Sequence, residues 1–144
     1  LQQVDLDIQL QQQDIMINGN KDALLGALAN LCMNAMDASK QFLRISILVG
    51  MNEQSQAQII VTDNGCGMDE QTLLHLFDPF YTTKTDGTGL GLAVVKSVVE
   101  SHQGSIQVAS LVDQGSTFSI QLPCVKASKS QLSRSAEKKS DSGK

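Results

Sequence analysis

Tryptophan is absent from this chain of 144 residues, and it contains only one Tyr and two Pro. With so few aromatic side chains, a core would have to be built mainly from aliphatic residues. No apolar run approaches the roughly 20 residues that a membrane-spanning helix needs, and no signal-peptide pattern is present. We therefore expect one water-soluble domain of common size, with no insertion of this chain into a membrane.

Cysteine is scarce, and its spacing is uninformative about metals. Cys32, Cys66 and Cys124 form no Cys-x-x-Cys pair, and their odd number argues against a disulfide framework. A reduced cytoplasmic setting fits this pattern best.

Basic residues are few in most of the chain. Residues 1–126 contain six Lys and Arg against thirteen Asp and Glu, a net charge of about −7, whereas residues 127–144 contain five against two, about +3. The acidic body argues against a nucleic-acid surface. The tail is rich in Ser and Lys, so we predict a folded domain at residues 1–125 and a disordered tail at residues 126–144.

Two glycine-containing segments carry the strongest functional signal. The first, residues 63–69, reads Asp-Asn-Gly-Cys-Gly-Met-Asp, and the second, residues 87–92, reads Gly-Thr-Gly-Leu-Gly-Leu. An Asp can accept a hydrogen bond from an amino group such as that of adenine, while a glycine run that opens a helix offers N–H groups to phosphates. The pair therefore suggests a nucleotide site. No P-loop string occurs, and the second segment follows a polar stretch rather than a strand.

A polar face on a predicted helix adds a third element. Asn20 is a plausible N-cap, and Asn30, Asn34 and Asp37 are spaced by four and three residues, which places them on one face. A carboxamide oxygen is a suitable ligand for a magnesium ion that also binds ATP phosphates.

Together with Leu-Phe-Asp-Pro-Phe-Tyr-Thr-Thr-Lys at residues 76–84 and Gly-Ser-Thr-Phe at residues 115–118, these motifs resemble, in order, the nucleotide-binding boxes of sensor histidine kinases. The resemblance covers about residues 1–123. The sequence of residues 78–84 is most similar to that of the nitrogen-regulator and flagellar-regulator branch of this family.

The resemblance implies a role for each matching residue. Asn34 would bind Mg²⁺ with Asn30 nearby, Asp63 would bind the adenine amino group with support from Thr117, and Lys84 would reach the phosphates from a mobile loop. Asn30, Asn34 and Lys84 are the implied catalytic residues. In hydrolytic relatives of this fold, a Glu occupies the position of Asn30 and acts as general base. The implied nucleotide-binding residues are Asn34, Asp37, Asp63, Gly65, Gly67, Met68, Phe80, Tyr81, Thr82, Thr83, Lys84, Gly87, Thr88, Gly89, Leu90, Gly91, Leu92 and Thr117.

The rest of the pattern predicts a two-layer α/β sandwich, a mixed five-stranded sheet with about three helices on one face, as in the Bergerat ATP-binding fold. Alternation indicates a strand with one wet face at residues 4–10, and a short strand is expected near residues 15–17. Further strands are expected at residues 43–51, 58–62, 105–109 and 117–122. Helices are expected from Asn20, from an Asp69 cap to about residue 76, and at residues 90–101.

Neither histidine resembles the family's phosphoacceptor. His75 is expected in a packing or exposed role, and His102 at a helix end where a cation is favoured. The resemblance thus implies that the chain supplies ATP to a histidine on a separate dimerisation domain of a homodimeric kinase, which then phosphorylates a response regulator. An ATPase or serine kinase of the same fold, and a nucleotide-binding interaction module without phosphotransfer, remain alternatives.

Overall fold

A computed structural model describes residues 2–11, 14–37, 41–82 and 89–125 of the chain. The elements follow in the order β1 (Gln3–Leu10), α1 (Lys21–Met36), β2 (Phe42–Met51), β3 (Gln56–Asp63), α2 (Glu70–His75), α3 (Gly91–Ser101), β4 (Ser105–Leu111) and β5 (Gly115–Pro123). The strands form one sheet in the order β1-β2-β3-β5-β4, with β1 parallel to β2 and all other pairs antiparallel. The predicted mixed five-stranded α/β architecture is confirmed.

The core lies between the helices and one face of the sheet. Its fully buried large side chains are aliphatic apart from one Phe, as the composition predicts: Leu31, Leu43, Ile45, Val61, Val95, Val99, Phe118 and Leu122. Alternate residues of the central strands point into this core because successive side chains of a strand face opposite sides. The helices α1 and α3 pack against each other above the sheet.

Polar side chains fix where the first two helices begin. The Asn20 side chain accepts a hydrogen bond from the amide of Ala23, and the Asp69 side chain accepts one from the amide of Thr72. Each bond satisfies an amide that has no partner within its helix. Both predicted caps are confirmed.

Two local expectations are wrong. Residues 15–17 form no strand, although the Met16 carbonyl accepts a backbone hydrogen bond from the Val125 amide. The strand β1 is exposed along its whole length rather than on one face. It lies at the edge of the sheet, and α1 lies chiefly over β2 and β3, so the aliphatic side chains of β1 remain uncovered.

Three sequence features complete the description. The cysteines Cys32, Cys66 and Cys124 are all free, and burial raises the pKa of the Cys32 thiol. Within the described ranges, no helix is both long and apolar enough to traverse a bilayer. The predicted tail, residues 126–144, lies outside the described residues.

Candidate functional site

The position of the polar flank of α1 follows from which residues of the helix are buried. Ala27, Leu31 and Ala35, spaced by four residues, face the core. Asn30 and Asn34 lie on the adjacent flank and are half-buried, whereas Asp37 is exposed at the C-cap. The two amides therefore border the core without entering it, where they can contact a ligand.

This flank meets the start of α3. A β-carbon built at Gly91 would lie 3.9 Å from Asn30 Oδ1, so the first helical residue of α3 is next to the polar flank of α1. The first amides of a helix lack intrahelical partners and carry partial positive charge. Asn30 and Gly91, which belong to two of the sequence motifs and are 61 residues apart, are thus brought together.

Asp63 ends β3 and is buried, with 7% of its surface exposed. It follows core-facing Val61 by two residues, so its side chain lies on the helix-covered face of the sheet. The Gly65 amide donates a 2.8 Å hydrogen bond to Asp63 Oδ1. This hydrogen bond orients the carboxylate on the helix-covered face of the sheet.

The turn after Asp63 is fixed to the tip of the β4–β5 hairpin. Gly67 has φ of +70°, and a β-carbon there would overlap the Leu111 carbonyl oxygen, so only glycine fits. The Cys66 carbonyl accepts a 2.7 Å hydrogen bond from the Asp113 amide, and Met68 packs partly against the core. The glycine at position 67 is thus required by contact with the protein's own backbone.

The register of β5 corrects one expectation. Thr117 pairs with Thr62, and its hydroxyl lies 3.5 Å from the Thr62 hydroxyl on the face that the helices do not cover. Ser116, which is buried, is the residue opposite Asp63. The expectation that Thr117 supports Asp63 is therefore wrong: the Thr117 side chain lies on the opposite face of the sheet, and Ser116 is the β5 residue beside Asp63. The alternation of β5 around buried Phe118 could have indicated this.

The segment after α2 combines core anchors with exposed residues. Leu76 is buried and Phe77 packs against the core, with the Lys96 ammonium 5.6 Å from the centre of the Phe77 ring. Phe80, in contrast, is 74% exposed and has φ of +68°. Its amide donates a 2.8 Å hydrogen bond to the Gly89 carbonyl.

The chain near Phe80 is also held by side chains. His75 Nδ1 lies 2.9 Å from Asp78 Oδ2, and the His75 and Tyr81 rings are 5.4 Å apart. Gly89 has φ of +72° and packs against the Phe80 backbone. Other expected contact residues in this part of the chain are placed as follows: Thr82 and Leu90 are exposed, and Leu92 packs against the core. The expected contacts of Thr83, Lys84, Gly87 and Thr88 lie outside the described residues.

No group of three or more His, Cys, Asp and Glu side chains that could bind a metal ion is found among the described residues. The candidate metal ligand Asn34 offers one amide oxygen. Because Mg²⁺ prefers six oxygen ligands and often keeps several waters, that amide fits a role as one ligand beside phosphate oxygens.

Comparison with known proteins identifies the family. Residues 19–126 match the family model described as histidine kinase-, DNA gyrase B- and HSP90-like ATPase. The chain belongs to this ATPase family. The matched range includes α1, Asp63 and the start of α3, which are the parts of the site described above.

The curated relatives that match the chain include histidine kinases. The chain is 41% identical over 120 residues to the signal transduction histidine-protein kinase AtoS of Escherichia coli K12, covering 83% of this chain and 20% of AtoS. It is 45% identical over 107 residues to the sensor histidine kinase ZraS of the same strain, covering 74% of this chain and 23% of ZraS. The chain thus spans about a fifth of the length of these relatives.

Solved structures agree with this assignment. The mycobacterial sensor histidine kinase MprB superposes with a TM-score of 0.76 at 25% identity, covering 86% of both chains. The catalytic domain of the histidine kinase ThkA gives a TM-score of 0.72 at 28% identity, covering 83% of this chain and 78% of that one. The fold is that of histidine kinase catalytic domains.

Proposed function

We propose that the domain binds Mg-ATP and donates the γ-phosphoryl group to a histidine on a separate dimerisation and phosphoacceptor domain, within a homodimeric sensor kinase. The phosphoryl group is then passed to the receiver domain of a response regulator. The observation that carries this proposal is the meeting of the Asn30 flank of α1 with the start of α3 at Gly91, on the same side of the sheet as buried Asp63.

Asp63 is suited to bind the base of the nucleotide. An ionised carboxylate only accepts hydrogen bonds, so it matches the amino group of adenine. The Gly65 amide fixes its orientation, and burial strengthens the hydrogen bonds that it makes, because the surroundings have a low dielectric constant. Binding of adenine therefore costs no reorientation of this side chain.

The phosphates would lie toward α1 and the start of α3. Amides at the N-terminus of α3 can donate to phosphate oxygens, and Asn34 would be a ligand of Mg²⁺ with Asn30 beside it. When bound, the metal neutralises phosphate charge. In this proposal, the phosphate site also includes Thr83, Lys84, Gly87 and Thr88. Phosphoryl transfer depends mainly on such positioning and charge neutralisation.

The remaining assignments are part of the same proposal. The acidic body gives no reason to expect nucleic-acid binding, and the free cysteines fit a cytoplasmic domain. The assignment to the nitrogen-regulator and flagellar-regulator branch depends on the amino-acid sequence of residues 78–84. The tail at residues 126–144 is proposed to be a solvated, disordered end.

The experiment is a calorimetric titration of Mg-ATP, followed by incubation with a helical-hairpin fragment that carries the phosphoacceptor histidine of a sensor kinase. We expect binding to the parent and acid-labile phosphate on the hairpin. Asn34→Ala should bind ATP without its Mg²⁺ dependence, whereas Asp22→Asn, at an exposed position in the first turn of α1, should match the parent. Phosphate on a serine, or release of phosphate to water alone, would favour the serine-kinase or ATPase alternative. Binding without either reaction would favour an interaction module.

A further inference from the structure

The hydroxyl of Ser110, in β4, makes three hydrogen bonds to parts of the chain that surround Asp63. The Met68 amide lies 2.8 Å from Ser110 Oγ, the Gly115 carbonyl lies 2.8 Å from it, and the Ser116 hydroxyl lies 2.9 Å from it. Met68 is 42 residues away in sequence. Ser110 therefore connects the turn after β3 with the start of β5.

The direction of each bond follows from counting protons. A serine hydroxyl has one proton to donate and two lone pairs to accept with. The Gly115 carbonyl can only accept, so it takes the Ser110 proton, and the Met68 amide can only donate. The Ser116 hydroxyl must then donate to Ser110, which fills the remaining lone pair. The Ser110 hydroxyl therefore has its proton and both lone pairs in hydrogen bonds, and Ser116 donates its proton to Ser110.

The consequence concerns the surroundings of Asp63. Ser116 lies opposite Asp63 across the β3–β5 pair, and both residues are buried. With its proton given to Ser110, Ser116 presents only lone pairs to the space beside Asp63. Asp63 and Ser116 therefore both offer acceptors here, which suits an amino group and disfavours a carbonyl.

We propose that Ser110 is a positioning residue of the base pocket, which holds Met68 and Ser116 in place around Asp63. The inference rests on the proposed function and extends it to a residue outside the sequence motifs. Ser110 acts through its neighbours, so its loss changes the affinity for nucleotide and leaves the phosphate end of the site intact.

The test compares Ser110→Ala with the parent by calorimetric titration of Mg-ATP and by hydrogen exchange. We expect the Kd for ATP to rise about tenfold, the magnitude of one typical hydrogen bond to a well-ordered group, with unchanged binding stoichiometry. The Met68 amide should exchange faster. Ser110→Thr, which keeps the hydroxyl, should restore the Kd to within about threefold of the parent, a difference of under about 0.7 kcal/mol.

Ser101→Ala is the matched control. It deletes a serine hydroxyl that also bonds a backbone carbonyl, that of Val98, at the far end of α3. Its Kd should equal that of the parent. A Ser110→Ala variant with unchanged Kd would overturn the proposal, as would one that lowers only the stoichiometry, which is the sign of partial misfolding. A parent chain that binds no ATP would instead contradict the proposed function, while faster Met68 exchange in the variant would still show that Ser110 holds the turn.

Discussion

His102, the C-cap of α3, accepts a hydrogen bond from the backbone amide of Asn20, the N-cap of α1, with 2.9 Å between Nε2 and N. Nδ1 of the same ring lies 2.7 Å from the Val98 carbonyl. An amide can only donate and a carbonyl can only accept, so Nε2 accepts from Asn20 and Nδ1 donates to Val98. His102 lies at the helix end that the sequence predicts. The ring joins α1 and α3, the two helices of the candidate site.

Replacing His102 with Ala should lower the free energy of unfolding by about 1–3 kcal/mol, because the Asn20 amide and the Val98 carbonyl lose a partner. Urea denaturation followed by circular dichroism measures this. His75→Ala is the control: it removes the other histidine from an exposed pair with Asp78, which should cost less than about 1 kcal/mol. Equal losses in the two variants would contradict the bridging role of His102.

The Asp69 cap should make stability depend on pH. Hydrogen bonds from the Thr72 backbone and then its side chain lower the pKa of Asp69 in the folded state. A lowered pKa means that the carboxylate contributes stability above its ordinary pKa, and that this contribution is lost as the pH falls through the lowered value. Asp69→Asn keeps a cap without titrating. In denaturation experiments, the stability difference between parent and variant should therefore shrink from pH 7 to pH 2. A constant difference would contradict a pH-dependent contribution from the Asp69 cap.

Replacing Gly with Ala should have opposite effects on stability at positions Gly67 and Gly26. Gly67→Ala should lower stability by more than about 1 kcal/mol, because φ is positive and a β-carbon would overlap the Leu111 carbonyl oxygen. Gly26→Ala, in the exposed part of α1 with nothing within 4 Å of the added carbon, should raise stability by about 0.5–1 kcal/mol. Thermal unfolding of both variants gives the two signs. A stable Gly67→Ala protein would show that the turn is not fixed as described.

Asn30 is predicted to restrain hydrolysis of bound ATP. An amide cannot take up a proton at neutral pH, whereas a carboxylate can, and general-base help is worth roughly 10²–10⁴-fold when a water is well placed. Asn30→Glu should therefore raise slow phosphate release while impairing transfer to histidine, because the new charge would lie near the phosphates in the proposed site. Colorimetric phosphate assays measure the release. A variant that binds Mg-ATP and hydrolyses it no faster than the parent would remove this role from Asn30.

Much of the fold could be predicted because local signals agree with the tertiary structure. Asn20 and Asp69 cap helices as their side chains allow, and Gly67 is required by the backbone of the turn. The exposure of β1 could not be predicted, because the apolar alternation of an edge strand does not reveal whether a helix covers it.

The details of the base pocket depend on register and on distant contacts. A shift of one residue moves a side chain to the other face of a sheet, which is why Ser116 rather than Thr117 lies opposite Asp63. Ser110 reaches Met68 across 42 residues, and His102 reaches Asn20 across 82. Neither contact leaves a periodic signal, since each depends on how the hairpin or the helix pair is packed.

The most direct measurement of the central claim is the affinity of Asp63→Asn for Mg-ATP. The substitution replaces an obligate acceptor in a buried position with a group that can present a donor to the adenine amino group, a mismatch that costs about 1–3 kcal/mol. We expect calorimetric titration to show tight binding by the parent and a loss of that size in the variant, with thermal unfolding confirming that the variant is folded. Equal affinity of parent and variant would contradict the assignment of Asp63 to the base and, with it, the proposed nucleotide site.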